Sequence, residues 1–490
     1  MKNPNQNSWR SLKKFLFTLF FLSTLIFCSA NEKKIVINSS ESSKKIANKQ
    51  EYFILNNINI IGNKVTKQHI ILRELMFSKN DTINKSMLSL LVDKSKTNLL
   101  NTSLFNFVII TTQAIDSNNI IININVTERW YTWPVPLFEI QERNFNTWLE
   151  SKNPSRNNYG FYLNRENFRG RKELLSFKVR LGYSEQYGFS YQIPYINNKQ
   201  KAGLGISVYY SRSHEIPYAT DQNKLLYLSN LSSYVKSGFS AVSRYTFRQG
   251  IYNSHTAELS YTKDNVTDTI LHLNTDYFSN YSTTTEYITA NYVFKTDHRN
   301  SKIYPLKGHY WGIQITKYGL GMLRNENLNT LFIETSINKY CDLDNRFYFA
   351  TALKGRISLL PNQPYYAQRV LGYGDFVRGY EYYVVGGESF ALLKTSLKYE
   401  LIKPRIEKIS WLPIEKFSTF HYALYTGIFT DVGYVTNNLN YSNNNLTNSI
   451  LLGMGIGVDF VTYYDLVFRF EYSFNRLFEG NIFPHFGSAF

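Results

Sequence analysis

Two periodicities divide this chain. Between residues 51 and 129 the apolar positions come in short runs of mixed spacing, and from Trp130 onward they alternate with polar ones at a period of two. In the first region, Phe53 to Ile61 reads as a strand closed by the turn signal Gly62-Asn63. Thr66 is placed to cap a helix carrying Ile70, Ile71, Leu72 and Leu75. Lys85 to Leu100 sets Leu88, Leu91, Val92 and Leu99 on one helical face. Asn101-Thr102 breaks that helix, Phe105 to Thr112 reads as a strand, and Ile120 to Val126 as its hairpin partner. A β-α-α-β-β order in about 75 residues is a small α+β domain.

The second region repeats one pattern many times. Phe177, Val179, Leu181 and Tyr183 alternate with Ser176, Lys178, Arg180 and Gly182. Phe347, Phe349, Leu353, Ile357 and Leu359 share one face, with Lys354, Arg356 and Ser358 on the other. Leu466, Phe468, Phe470, Tyr472 and Phe474 oppose Asp465, Arg469, Glu471 and Ser473. Similar alternation recurs around Ile288–Thr296, Trp311–Thr316 and Met454–Phe460. A polar face opposite an aliphatic and aromatic one in every strand is the requirement of a transmembrane β-barrel, which leaves no backbone edge unpaired in lipid. A soluble β-sandwich also alternates. The length of the region, its aromatic content and Asn-rich connections such as Asn437 to Asn448 favour the barrel. Roughly 360 residues at about 20–24 per strand and connection give on the order of 16 strands.

Composition strengthens this reading. Of 490 residues 16% are aromatic, and Tyr (39) and Phe (35) far outnumber Trp (6). Tyr and Phe suit strands, and Tyr suits a surface apolar at one end and wet at the other. Mean hydropathy is −0.31, which excludes a bundle of many apolar helices. The one long apolar run, Phe15 to Phe27, is too short for a comfortable span. With Arg10, Lys13 and Lys14 before it and Cys28-Ser29-Ala30 after it, residues 1–30 read as a signal peptide cleaved after Ala30. A lipid anchor on Cys28 is the competing reading, and the bulky Phe27 argues against it. Cleavage leaves Cys341 alone, without an intrachain disulfide. Residues 31–50 read as a flexible polar lead-in. The formal charge of +17 is spread through the alternating segments rather than gathered in a stripe. It therefore points away from nucleic acid and toward anionic lipid headgroups or lipopolysaccharide.

Fragments in both regions resemble one family. Ile60-Ile61-Gly62-Asn63, Thr66, Arg73-Glu74-Leu75, Asn101 to Asn106 and Val126-Thr127-Glu128 occur in the order of a POTRA domain. In the barrel region the resemblance rests on Asn167-Phe168-Arg169-Gly170 with Tyr191 to Tyr195, and on Asp297-His298-Arg299 with Tyr304-Pro305-Leu306-Lys307-Gly308. It rests also on Val377-Arg378-Gly379-Tyr380, on Phe429-Thr430-Asp431-Val432-Gly433 and on the terminal aromatic Phe490. Together these resemble the BamA/TamA (bacterial surface antigen) family of outer-membrane assembly and translocation proteins. The resemblance implies a POTRA-like periplasmic domain at 51–129 and an outer-membrane barrel at 130–490. It implies that Val377 to Tyr380 lie in a loop folded into the lumen, with Arg378 paired to Asp431. Glu400 stands as a second candidate acid. The chemistry is apt, since a guanidinium inside a barrel needs planar acceptors.

No enzyme signature accompanies these motifs. Gly386-Gly387 and Gly453-x-Gly455-x-Gly457 lack a strand-to-helix context, and the eight His form no metal-binding spacing. His298, beside Asp297 and Arg299, reads as barrel structure. No cofactor or metal is expected. The family resemblance implies templated insertion of β-barrel proteins, or translocation of polypeptides. A client strand would join a POTRA edge by β-augmentation and enter a seam between the first and last strands, around Tyr159–Arg165 and Phe483–Phe490. Its partners would be lipid, unfolded clients, and periplasmic or lipoprotein subunits. A single POTRA-like domain departs from the several found in general assembly factors, and favours a specialised member. Residues 31–50 are too polar and short for the plug helix of two-partner secretion transporters. A passive porin or a surface receptor or adhesin is the alternative.

Overall fold

The computed structural model describes residues 51–140 and 156–486, apart from 198, 279, 325, 327, 361–362, 409–418, 438–442 and 463–465. The expected leader, the lead-in, Cys28 and Phe490 lie outside the described residues.

The front domain runs β1 (Tyr52–Ile61), α1 (Gln68–Leu72), β2 (Thr82–Asn84), a 3-10 turn (Lys85–Met87), α2 (Leu88–Leu100), β3 (Phe105–Ala114) and β4 (Asn119–Glu128). Its sheet order is β2-β1-β4-β3, with β1 parallel to β4 and β4 antiparallel to β3. Ile120, Ile122, Ile124 and Val126 of β4 point inward at the two-residue period and meet Leu55, Ile70, Ile71, Leu99 and Phe105 in one core. The first helix begins later than Thr66, and Lys67 makes no side-chain cap. The Thr66 hydroxyl is committed elsewhere, 3.1 Å from the Tyr131 hydroxyl and 2.8 Å from Asn167 Nδ2. Glu128 serves the amides ahead of the helix instead, accepting from Val65 at 3.1 Å and Thr66 at 2.6 Å. The three-residue β2 is too short to declare a period.

The second region forms β5 (Thr132–Ile140), β6 (Asn157–Phe168), β7 (Glu173–Gly182), β8 (Ser184–Ile193) and β9 (Ala202–Ser213). The hairpin β10 (Glu215–Asp221) and β11 (Lys224–Ser229) stands apart. Next come β12 (Lys236–Gln249), β13 (Asn253–Val266), the short helix α3 (Asp268–Leu273), β14 (Thr284–Asp297), β15 (Gly308–Tyr318), β16 (Thr330–Asp342) and β17 (Phe347–Ser358). The chain ends with β18 (Ser389–Lys408), β19 (Thr419–Thr436), β20 (Ile450–Val461), β21 (Val467–Asn475) and β22 (Gly480–Phe486). Apart from the β10–β11 hairpin, β5 to β22 make one 16-stranded antiparallel sheet, each strand beside its neighbour in sequence. This is the transmembrane barrel. No helix among the described residues is long and apolar enough to cross a membrane. Along β21, Phe470, Tyr472 and Phe474 face outward while Glu471, Ser473 and Asn475 are buried toward the lumen.

The seam lies one strand earlier than Tyr159–Arg165, which belong to β6. The first strand is β5, hidden from pattern reading by Pro134 and Pro136. Prolines survive in a strand at an unpaired edge, at its first residue or at a bulge. The last strand, β22, also carries a proline, Pro484. Among the described residues no ladder joins β5 to β22. At the end of the barrel far from the front domain, the β10–β11 hairpin, α3, Tyr277 and Phe278 bury a cluster against Tyr365 and Tyr366. Those two tyrosines start the long connection between β17 and β18.

Candidate functional site

The described part of that connection, residues 363–388, folds from the far end into the lumen, and Arg378 anchors it. The Arg378 guanidinium donates from Nε and Nη2 to the two Asp431 oxygens at 2.9 and 2.6 Å, and its backbone N–H adds a third bond to Asp431 at 3.1 Å. Nη1 donates to Glu471 Oε1 at 3.2 Å, and Nη2 also reaches Thr395 O and Ser396 Oγ. The same group lies 3.8 Å from the centre of the Phe429 ring. One buried cation thus ties the loop to β18, β19 and β21, with nearly all its donors used.

The flanking residues make this approach possible. Gly379 has φ +93°, a backbone region that side chains disfavour, and its carbonyl accepts from Asn475 Nδ2 at 2.9 Å. A Cβ on Gly433 would come within 2.5 Å of Val377, and one on Gly453 within 1.8 Å of the Arg378 carbonyl. Val377 and Tyr380 bury themselves with Leu371, Phe390, Leu392, Val435 and Leu451. The Tyr380 hydroxyl accepts from the Arg476 amide at 3.2 Å.

A second node continues the polar wall. Asp459 on β20 accepts from Lys398 at 2.8 Å, from Arg469 at 2.7 Å and from the Tyr304 hydroxyl at 2.6 Å. Tyr304 belongs to the turn between β14 and β15, where Arg299 forks onto Asp297 with two bonds of 2.8 Å. Pro305 is buried beside it, and Gly308 opens β15 with φ +104°. The mid-barrel motif therefore shapes a turn at the front-domain end that sends Tyr304 into the lumen.

The front domain docks against the same end. Glu74, 2% exposed, receives Arg248 of β12 in a fork of 2.6 and 2.8 Å. Burial works to raise the Glu74 carboxyl, yet Arg248's hydrogen bonds and charge, aided by Lys172 and Arg73, hold it below the usual carboxylate range. Arg73 lies 3.8 Å over the Tyr195 ring and donates to Gln200 O at 2.6 Å. The β6–β7 turn completes the joint. Gly170 O accepts from the Lys67 amide at 2.9 Å, and a Cβ on Gly170 would stand 2.1 Å from Val65 O. Between domain and barrel lies a vestibule of about 670 Å³ lined by Lys172, Lys201, Arg248, Lys295 and Lys302 among others, against the acids Glu74 and Asp297.

The structure brings Arg378, Gly379, Tyr380, Phe429, Asp431 and Gly433 together, and sets Asp297, Arg299, Pro305 and Gly308 in a separate turn. Glu400 stands opposite Tyr425 across β18 and β19. The acid that joins Asp431 at Arg378 is Glu471, which sequence reading placed on a polar face without a partner. The Glu74–Arg248 fork was also missed. Its acid sat in a quoted motif, but nothing in the spacing pointed to residue 248.

The Omp85 superfamily domain model matches residues 167–475, and the POTRA model, described as a surface antigen variable number repeat, matches residues 53–129. Similar solved structures include BamA from Haemophilus ducreyi lacking POTRA domains 1–3, at 16% identity over 89% of this chain and 84% of that one, with a TM-score of 0.48. CdiB from Acinetobacter baumannii is 13% identical over 89% and 73% of the two chains, with a TM-score of 0.45. CdiB from Escherichia coli is 10% identical over 99% and 98%, with a TM-score of 0.48. No curated protein matches by sequence.

Proposed function

Because the chain belongs to the Omp85 superfamily, whose model covers residues 167–475, we propose that it inserts β-barrel proteins into the outer membrane or moves polypeptides across it. The observation that carries this reading is the seam. Its two strands, β5 and β22, contain Pro134, Pro136 and Pro484, and are not laddered to one another among the described residues. Each proline removes a backbone donor, so pairing across the seam is weaker than elsewhere in the sheet. A client strand with its full set of amides competes well for such an edge.

The front domain supplies a first contact on the periplasmic side. Its sheet ends in β3, ten residues long, with Ile109 58% exposed. An extended client adds to such an edge through backbone hydrogen bonds, and the basic vestibule beneath favours segments carrying acidic residues. The lumen loop, held by Arg378, braces the wall on which β22 forms and narrows the pore, which speaks against a passive porin. Binding and strand exchange drive the work, and no nucleotide or covalent step is invoked.

The test is a disulfide across the seam. Cysteines introduced in β5 and β22, with Cys341 replaced by Ser, are oxidised in cells and the other barrel and secreted proteins are quantified. Their levels fall on oxidation and recover with reductant. Unchanged levels, or a large steady conductance of the purified protein in planar bilayers, overturn the proposal.

A further inference from the structure

Three side chains remote in sequence meet where the lumen loop touches the last strand. Glu381 follows the Arg378-Gly379-Tyr380 turn, Glu471 lies on β21 and His485 on β22. His485 Nε2 is 3.4 Å from Glu471 Oε2 and 3.5 Å from Glu381 Oε1, and the three ligand atoms lie within 4.8 Å of one another. Glu471 is 3% exposed, and its Oε1 is occupied by Arg378. Its Oε2 and the His485 Nε2 are buried, and neither has a hydrogen-bond partner among the described residues. Two polar atoms so close, yet misaligned for a hydrogen bond, leave a desolvation cost that something must offset.

A metal ion accounts for the geometry. Ligand atoms about 2.0–2.1 Å from a tetrahedral zinc lie about 3.3–3.4 Å apart, close to the two separations from His485. One imidazole with two carboxylates suits zinc better than calcium or magnesium. The His485 ring is held by stacking on Phe376, centroids 5.5 Å apart and planes at 21°. Glu381 Oε2 accepts the Gly379 amide at 2.8 Å, and its Oε1 is the atom that faces His485. Glu471 and His485 both border a lumen cavity of about 480 Å³. The neighbouring cations face the other oxygen of Glu471: Arg378 donates to Oε1 at 3.2 Å and Arg469 stands 3.7 Å from it, so Oε2 is the oxygen left for an ion.

We propose that Glu381, Glu471 and His485 form a zinc-class site that staples the lumen loop to the closing strand. The staple rests on the lumen-brace reading above. A bound ion adds stability because only the folded barrel gathers its ligands.

The test uses the full chain, folded in detergent, stripped with EDTA and titrated with zinc chloride. Metal analysis should find one zinc per chain, and zinc should raise the heat-unfolding midpoint read by gel mobility. His485→Ala and Glu381→Gln, folded by the same gel criterion, should bind at least about 100-fold more weakly and lose the shift. Absence of zinc from the wild-type protein, equal binding by both variants, or binding without a shift overturns the proposal. So does a midpoint that follows pH through the ordinary histidine range in EDTA and ignores zinc, since the cluster is then a protonated-histidine ion pair. If zinc binds as expected but the seam disulfide leaves client levels unchanged, the functional reading fails while the site stands.

Discussion

Two arginine forks hold this molecule together, and they are built differently. Arg248 joins the front domain to the barrel through one carboxylate, Glu74, at a joint beside the periplasmic vestibule, and its side chain remains 20% exposed. Arg378 is 5% exposed and engages Asp431, Glu471, two groups on β18 and the Phe429 ring. A fork onto one acid is undone when that single acid is neutralised. A cation spread over three strands is over-determined, and releasing it exposes several buried acceptors together.

The sharpest way to break the contrast is Arg378→Ala, which leaves Asp431 and part of Glu471 as buried, uncompensated charges. A loss of about 3–5 kcal/mol is expected, seen as a lower heat-unfolding midpoint or failure to reach the compact gel form. A silent variant removes the brace reading. Arg248→Ala should cost less, about 1.5–3 kcal/mol, because Arg73 and Lys172 still face the Glu74 carboxylate after the fork is lost. That cost should fall on docking alone. Protease should cut the 51–131 region faster while the barrel's midpoint stays unchanged. Acid should mimic the variant. The Glu74 carboxyl is held low when docked, so its contribution is complete above the ordinary glutamate pKa of about 4.3 and vanishes as pH falls through the lowered value. Protease sensitivity that rises with pH instead would exclude the fork as the latch. Gly170→Ala tests the same joint by shape. With φ +72° and Val65 O in the way, it should loosen docking by about 1–3 kcal/mol and leave Arg378 undisturbed.

The two regions also differ in how far they can be read from sequence. Period-two alternation is a local property, so β21 announces Glu471 on the inner face and Phe470 on the outer. Its inner partner depends on the register between strands and on the path of a long loop, which no local pattern contains. The same limit hid the Glu381–Glu471–His485 cluster and the Glu74–Arg248 fork. β5 escaped for another reason, because Pro134 and Pro136 look like breakers until a strand is known to be an edge. Thr66 had the right residue type for a cap, but Tyr131 and Asn167 claim its hydroxyl, so tertiary contact overrode a local rule.

The smallest effect separates Asp431, the acid that the resemblance pairs with Arg378, from Glu400, the second candidate. Ser396, whose Oγ meets Arg378 at 3.3 Å, lies on β18 four residues before Glu400. At about 3.3 Å per residue, Glu400 stands about 13 Å further along the strand, beyond the reach of that guanidinium. Glu400 faces Tyr425 across the ladder and belongs to the aromatic group of Tyr304, Tyr348 and Tyr425. Glu400→Gln keeps the shape and an acceptor for a tyrosine hydroxyl, and should change stability by less than about 1 kcal/mol. Asp431→Asn removes the charge that Arg378 forks onto, and should cost about 3 kcal/mol or more. Comparing the two midpoints on one gel series decides the matter. Equal losses would bring Glu400 back to the arginine and shift the loop's path along the wall.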